Sequence, residues 1–138
     1  MLQVLVDADN LHPARLNALL TALPTRAVIV AAGSPDALSR VDWPATATLL
    51  PRTGWQSADL ELAAAYTPDD GPLILASGDG DFAQLGRRHT GHVLVVSPSP
   101  SSHLRAGATV LDPLHDGPGA ILQWIHAAGV GPRPVDDA

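Results

Sequence analysis

Short, almost unbroken runs of Val, Ile, Leu and Ala alternate along this chain with stretches patterned for helices, and that alternation leaves few folds open. The runs are Leu2–Val6, Ala27–Ala32, Thr46–Leu50, Leu73–Ala76 and Val93–Val96, with Thr109–Leu111 as a sixth candidate. Strands that read as continuous apolar runs are buried on both faces, the signature of a parallel sheet covered by helices. The intervening segments supply such helices. Pro13–Leu23 repeats leucine at 16, 19, 20 and 23, and Pro13 suits a first helical turn. Ala58–Tyr66 follows Ser57, a good N-cap, and stops at Thr67-Pro68. Asp81–Arg88 places two arginines at its C-terminal end, and Gly119–Ala128 spaces Ile121, Leu122 and Ile125 as a buried stripe. The expected architecture is therefore α/β, with right-handed crossovers around a central, mainly parallel sheet of about five strands.

At 138 residues the chain fits one domain, placed over 1–130. The tail 131–138, rich in proline and acid and without a hydrophobic pattern, reads as disordered. There is no cysteine, which excludes disulfides, thiolate nucleophiles and zinc–sulfur sites. No apolar run approaches a membrane span, and Met1–Val6 leads into Asp7 with no basic start. The expectation is a cytoplasmic protein with no membrane partner.

Ligands of open parallel sheets bind outside the carboxyl ends of the strands, where strand order reverses. The residues just past each strand are therefore the informative ones. After the first run come Asp7-Ala8-Asp9-Asn10, and after the fourth come Ser77-Gly78-Asp79-Gly80-Asp81. Asp59 stands in the first turn of the helix that Ser57 caps. Carboxylates crowded at one sheet edge repel one another unless a cation neutralises them. Oxygen ligands without Cys or a His pair favour Mg²⁺ or Mn²⁺ over zinc. Such a site binds phosphate oxygens and activates water for in-line attack. Each piece also has an ordinary reading: Asp59 and Asp81 could serve as helix-terminal charges or caps, and a lone Asp after a strand is commonly a turn former.

Charge bears on the partner. Fourteen acidic residues against eight arginines and no lysine give a net −6, which by itself disfavours nucleic acid. Without Asp7, Asp9, Asp59, Asp79 and Asp81, however, the formal charge would rise from −6 to −1, so five of the fourteen acids, placed in the candidate pocket, account for most of the net charge. Arg52, after the third run, is the obvious phosphate contact, and Trp55 could stack on an unpaired base or simply pack. Arg15 reads as a surface charge within reach of the site, His12 as a helix cap, and Trp43 and Trp124 as packing residues. His103 and Arg105 form a second candidate phosphate patch, while Ala32-Gly33-Ser34 reads as a turn.

The segment Val4-Leu5-Val6-Asp7-Ala8-Asp9-Asn10-Leu11 resembles the opening strand of NYN domains, which belong to the PIN-like nuclease group. Ser77-Gly78-Asp79-Gly80-Asp81-Phe82 resembles their second signature, and Ser57-Ala58-Asp59-Leu60 falls where the family opens its central helix with aspartate. The resemblance covers roughly Leu2 to Val96. It implies a PIN-like three-layer α/β/α sandwich and a ribonuclease that cleaves single-stranded RNA with Mg²⁺ or Mn²⁺. Asp7, Asp59, Asp79 and Asp81 would be the catalytic, metal-binding carboxylates, with Asp9 a weaker candidate. Asn10 would hold the first loop or touch substrate, and Ser77 would order the second loop. Attack by water implies a 5′-phosphate and a 3′-hydroxyl in the products. Two family features are absent: Gln56 stands near the position where many members carry lysine, and Ala63-Ala64-Ala65 occupies the place of a further acid, Glu61 being the nearest one.

Two other readings stay open. A haloacid-dehalogenase-like phosphatase would use Asp7 as nucleophile and Asp9 as general acid, but needs a lysine that this chain lacks. A degenerate module would bind RNA or a protein without cutting. The oligomeric state is left open, a homodimer or a protein partner included.

Overall fold

The protein is described from a computed structural model, over residues 1–52, 58–78, 82–99 and 108–129, with 58–60 described in backbone only. Six strands, β1 (Gln3–Asp7), β2 (Val28–Gly33), β3 (Thr48–Pro51), β4 (Leu73–Ala76), β5 (Val93–Val96) and β6 (Thr109–Leu111), form one sheet in the order β3-β2-β1-β4-β5-β6. Every pairing is parallel. The expected count of about five is thus corrected to six: Thr109–Leu111 pairs with β5 as a full edge strand, Val95 opposite Val110.

Among the described residues, five helices cover the sheet: α1 (Pro13–Ala22), α2 (Pro35–Ser39), α3 (Ala58–Ala65), α4 (Ala83–Arg88) and α5 (Pro118–Ala128). Because side chains alternate along a strand, each inner strand feeds two cores. Val4, Val6, Ile29, Ala31, Ile74, Ala76, Leu94 and Val96 pack with Leu16 and Leu19 of α1, Leu38 of α2, and Ile121 and Ile125 of α5. On the opposite face Leu5, Val30, Ala32, Leu73, Leu75, Val93 and Val95 pack with Leu62 of α3, Phe82, and Leu85 of α4. This is the expected three-layer α/β/α sandwich.

The helix ends follow local chemistry. His12 caps α1 as expected, its Nδ1 accepting the Ala14 N–H at 3.0 Å. Helix α2 was not expected. Its start, Ser34-Pro35-Asp36, combines a capping hydroxyl, a proline in the first turn and an acid at the positive dipole end, so the expected turn is a helix cap instead. Helix α4 begins at Ala83, two residues beyond the expected Asp81. Trp43 and Trp124 pack against the first core, and the Trp43 indole donates to the Leu38 carbonyl at 2.9 Å. Among the described residues, no helix is long and apolar enough to cross a membrane.

Candidate functional site

The chain lays β2 and β3 on one side of β1, then returns to place β4 on the other, so strand order reverses between β1 and β4. Their register pairs Val6 with Ala76, which sets Asp7 and Ser77 side by side at the carboxyl edge. Both are buried, with 8% of Asp7 exposed, and the Ser77 hydroxyl donates to Asp7 Oδ2 at 3.4 Å. A carboxylate in such a place is costly unless neighbouring groups or a cation compensate it.

Past Asp7 the chain turns at once, the Asn10 N–H donating to the Asp7 carbonyl at 3.2 Å. Asn10 Oδ1 then accepts the Gly78 N–H at 2.7 Å. This bond spans the switch point and ties the loop after β1 to the loop after β4. Gly78 could not be replaced freely: a Cβ there would lie 2.8 Å from Ser97 Oγ and 3.5 Å from Asn10 Oδ1. Ser97 is buried directly after β5, and its hydroxyl oxygen accepts the Ser99 N–H at 3.2 Å.

The turn sends Asp9 the other way. Its carboxylate accepts the Ser34 N–H at 3.0 Å and the Ser34 hydroxyl at 2.8 Å, linking the first loop to the cap of α2. Arg52 follows β3 as expected, with its N–H donating to the Gly33 carbonyl at 2.7 Å, but its guanidinium forms an ion pair with Glu61 of α3. Arg15, expected as a surface charge, makes a two-pronged ion pair instead. Its Nε and Nη2 donate to Asp112 Oδ1 and Oδ2 at 3.1 and 3.3 Å. Burial alone would raise the Asp112 pKa, but the bonds from Arg15 and the Leu114 N–H, with the charges of Arg15 and His115, hold it below the ordinary carboxylate value.

Of the expected site residues, the structure thus brings Asp7, Asn10 and Ser77 together and directs Asp9 and Arg52 to other partners. Asp59 opens α3 in its first turn, with its side chain outside the described part. Asp79, Asp81, Trp55, His103 and Arg105 lie outside the described residues. Among the described residues, no three His, Asp or Glu side chains group to hold a metal ion. The donor chemistry available at the switch point is that of a buried carboxylate and a hydroxyl, which suits a hard cation once further carboxylates join it. Ser97 and Asp112 were missed, although each directly follows a strand and the rule that singles out Asp7 and Ser77 singles them out too. No protein-family model, curated protein or solved structure matches this chain.

Proposed function

We propose that this protein is a metal-dependent ribonuclease of the NYN, PIN-like kind, which hydrolyses single-stranded RNA at the β1–β4 switch point. The observation that supports it most is Asp7, buried at the carboxyl end of β1 beside Ser77, with the loop that follows it stapled by Asn10 to the loop that leads into Asp79. Asp7, with Asp59, Asp79 and Asp81, would hold Mg²⁺ or Mn²⁺. That ion, when bound, supplies positive charge for phosphate oxygens and makes a water nucleophilic at neutral pH. The protein's own part is placement. Asp7 is fixed by the end of β1 and by the Ser77 hydroxyl, and the Asn10–Gly78 bond sets the spacing of the two loops.

Arg15 and Arg52 are already paired with Asp112 and Glu61. Phosphate binding at this edge therefore depends on the metal more than on these arginines, and RNA affinity should fall sharply on chelation. The direction of Asp9 weighs against the phosphatase alternative, where it would have to act as general acid beside Asp7; both its oxygens are engaged by Ser34.

The deciding experiment incubates labelled single-stranded RNA with purified protein and Mn²⁺, with and without EDTA, beside the Asp7→Asn and Asp79→Asn variants. Cleavage that needs Mn²⁺, disappears in both variants and leaves a 5′-phosphate and 3′-hydroxyl is expected. Cleavage that survives both substitutions would trace to a contaminating nuclease and end the proposal, and a 2′,3′-cyclic phosphate product would exclude attack by water.

A further inference from the structure

Arg15 and Asp112 stand 97 residues apart in sequence and join α1 to the end of β6. The pair is mostly sheltered, with the two side chains 25% and 14% exposed. Parallel donation by the guanidinium fork fixes orientation as well as distance, which a single ion contact does not. Asp112 is itself held in a tight turn: its N–H donates to Asp116 Oδ2 at 2.7 Å, and its carbonyl accepts from His115 and Asp116. Arg15 therefore grips a rigid post.

From Arg15 a circuit of contacts runs around the carboxyl edge. Arg15 lies in the first turn of α1, whose N-terminus is set by His12, by buried Leu11 and by the bond from the Arg15 N–H to the His12 carbonyl. Two residues before that cap, Asn10 accepts the Gly78 N–H. Gly78 lies against Ser97, as the position of its missing Cβ shows. The Ser97 N–H donates to the Leu111 carbonyl at 3.2 Å, and Leu111 is covalently joined to Asp112. The circuit links β1, β4, β5 and β6, and in it the Arg15–Asp112 pair is a contact between charged side chains.

We infer that Arg15 and Asp112 are positioning residues, which hold the loop after β1 in register with the loop after β4 by fixing the seat of α1. Their effect on metal and RNA rests on the function proposed above; their effect on the loops does not. An ordinary structural ion pair would add stability and leave loop register alone, so the test reads register directly.

Hydrogen exchange of the Gly78 amide is measured by NMR without metal, and Mn²⁺ affinity by electron paramagnetic resonance. The proteins compared are wild type, Arg15→Ala, Arg15→Lys, Asp112→Asn and Tyr66→Phe. The last loosens the opposite edge of the sheet and controls for general loss of stability. Arg15→Ala and Asp112→Asn should speed Gly78 exchange by about tenfold. They should also weaken Mn²⁺ binding about tenfold, the scale seen when a group orienting a metal ligand is lost. Arg15→Lys, which keeps the charge but loses the fork, should fall between them and wild type, and it carries the test if Asp112→Asn does not fold. Tyr66→Phe should move neither reading. Gly78 exchange within about twofold of wild type in the Arg15 variants would overturn the inference, as would an equal change in Tyr66→Phe. If Gly78 loosens but wild-type protein binds no Mn²⁺, the inference stands and the metal-dependent function falls.

Discussion

At the amino edge of the sheet, buried polar groups close on one another. The Gln3 amide donates to the Thr67 carbonyl at 2.5 Å and accepts the Thr67 N–H at 2.8 Å, so both its ends are used. His89 is 2% exposed and sits between Tyr66 and Gly71. Because a carbonyl can only accept, His89 Nε2 carries the hydrogen that goes to Gly71 at 2.5 Å, and Nδ1 receives the Tyr66 hydroxyl at 2.6 Å. The carboxyl edge is built otherwise. Ser77 reaches Asp7 over a long 3.4 Å, and Asn10 commits its carbonyl oxygen to Gly78 rather than closing a pair with another side chain. One edge spends its polar groups on cohesion. At the β1–β4 switch point of the other, beside closed pairs such as Asp9–Ser34, Asn10 instead aligns two loops, the arrangement that the proposed site would need.

This contrast predicts opposite responses to substitution, and Asp7 gives the largest. Asp7→Asn keeps the shape but removes the charge. Cleavage should fall by about two to three orders of magnitude, the scale of losing one preorganised electrostatic group, while the melting temperature stays equal or rises. Parallel measurement of kcat/KM and Tm checks it. A large drop in Tm would place Asp7 with the cohesive groups of the amino edge and erase the distinction.

Two glycines sharpen the comparison at the next scale. A Cβ on Gly91, at the amino edge, would collide with the Gly71 carbonyl oxygen and stand 2.5 Å from that of Asp70. Backbone cannot step aside, so Gly91→Ala should cost about 2–3 kcal/mol of stability and leave the activity of the folded fraction intact. On Gly78 the nearest atom is the buried Ser97 hydroxyl, a side-chain atom that can shift by giving up its bond to the Ser99 N–H. Gly78→Ala should therefore cost about 1 kcal/mol or less yet lower activity about tenfold by shifting the loop that Asn10 holds. Denaturant unfolding beside steady-state kinetics separates the two, and identical profiles for both variants would remove the contrast.

The same edge explains what could be read from sequence. The strands were legible because burial on both faces forces continuous apolar runs, and β4 and β5 match their expected bounds. Right-handed crossovers fix the hand of each connection but not the strand order, so the sequence allowed the first and fourth strands to adjoin without requiring it; the β1–β4 register is what sets Asp7 beside Ser77. Helix α2 was not legible from periodicity, since five residues hold no repeat; only its cap announced it. The partners of Arg15 and Arg52 were hidden for another reason. Asp112 is distant in sequence and Glu61 lies on a separate helix, and no local pattern ties a guanidinium to either. Asp9 shows the limit at close range: the turn from Asp7 to Asn10 rotates a neighbouring acid out of the pocket, toward Ser34.

Tyr66→Phe probes the cohesive edge alone. Removing the hydroxyl leaves His89 Nδ1 buried without its donor, a loss of about 1–2 kcal/mol that should lower Tm by about 4–8 °C. Mn²⁺-dependent cleavage at a temperature where the variant is folded should match wild type. Burial, and then the charge of Asp69, raise the Tyr66 pKa above its ordinary value, so the phenol stays protonated and keeps donating well into alkaline solution.

The smallest effect concerns acid. The folded-state pKa of Asp112 lies below its unfolded value, held down against its own burial by Arg15 and the Leu114 N–H. Linkage sets the sign: its contribution is fully present above the unfolded carboxylate pKa, about 3.9, and is lost as pH falls through the lower folded value. For a partly exposed pair the size should be about 1 kcal/mol. Wild type should thus be more stable than Asp112→Asn near neutrality, with the gap narrowing only below about pH 4. A gap that closes already between pH 5 and 7 would mean that Arg15 does not hold this carboxylate ionised, and the clamp at the end of β6 would then be no tighter than an ordinary surface pair.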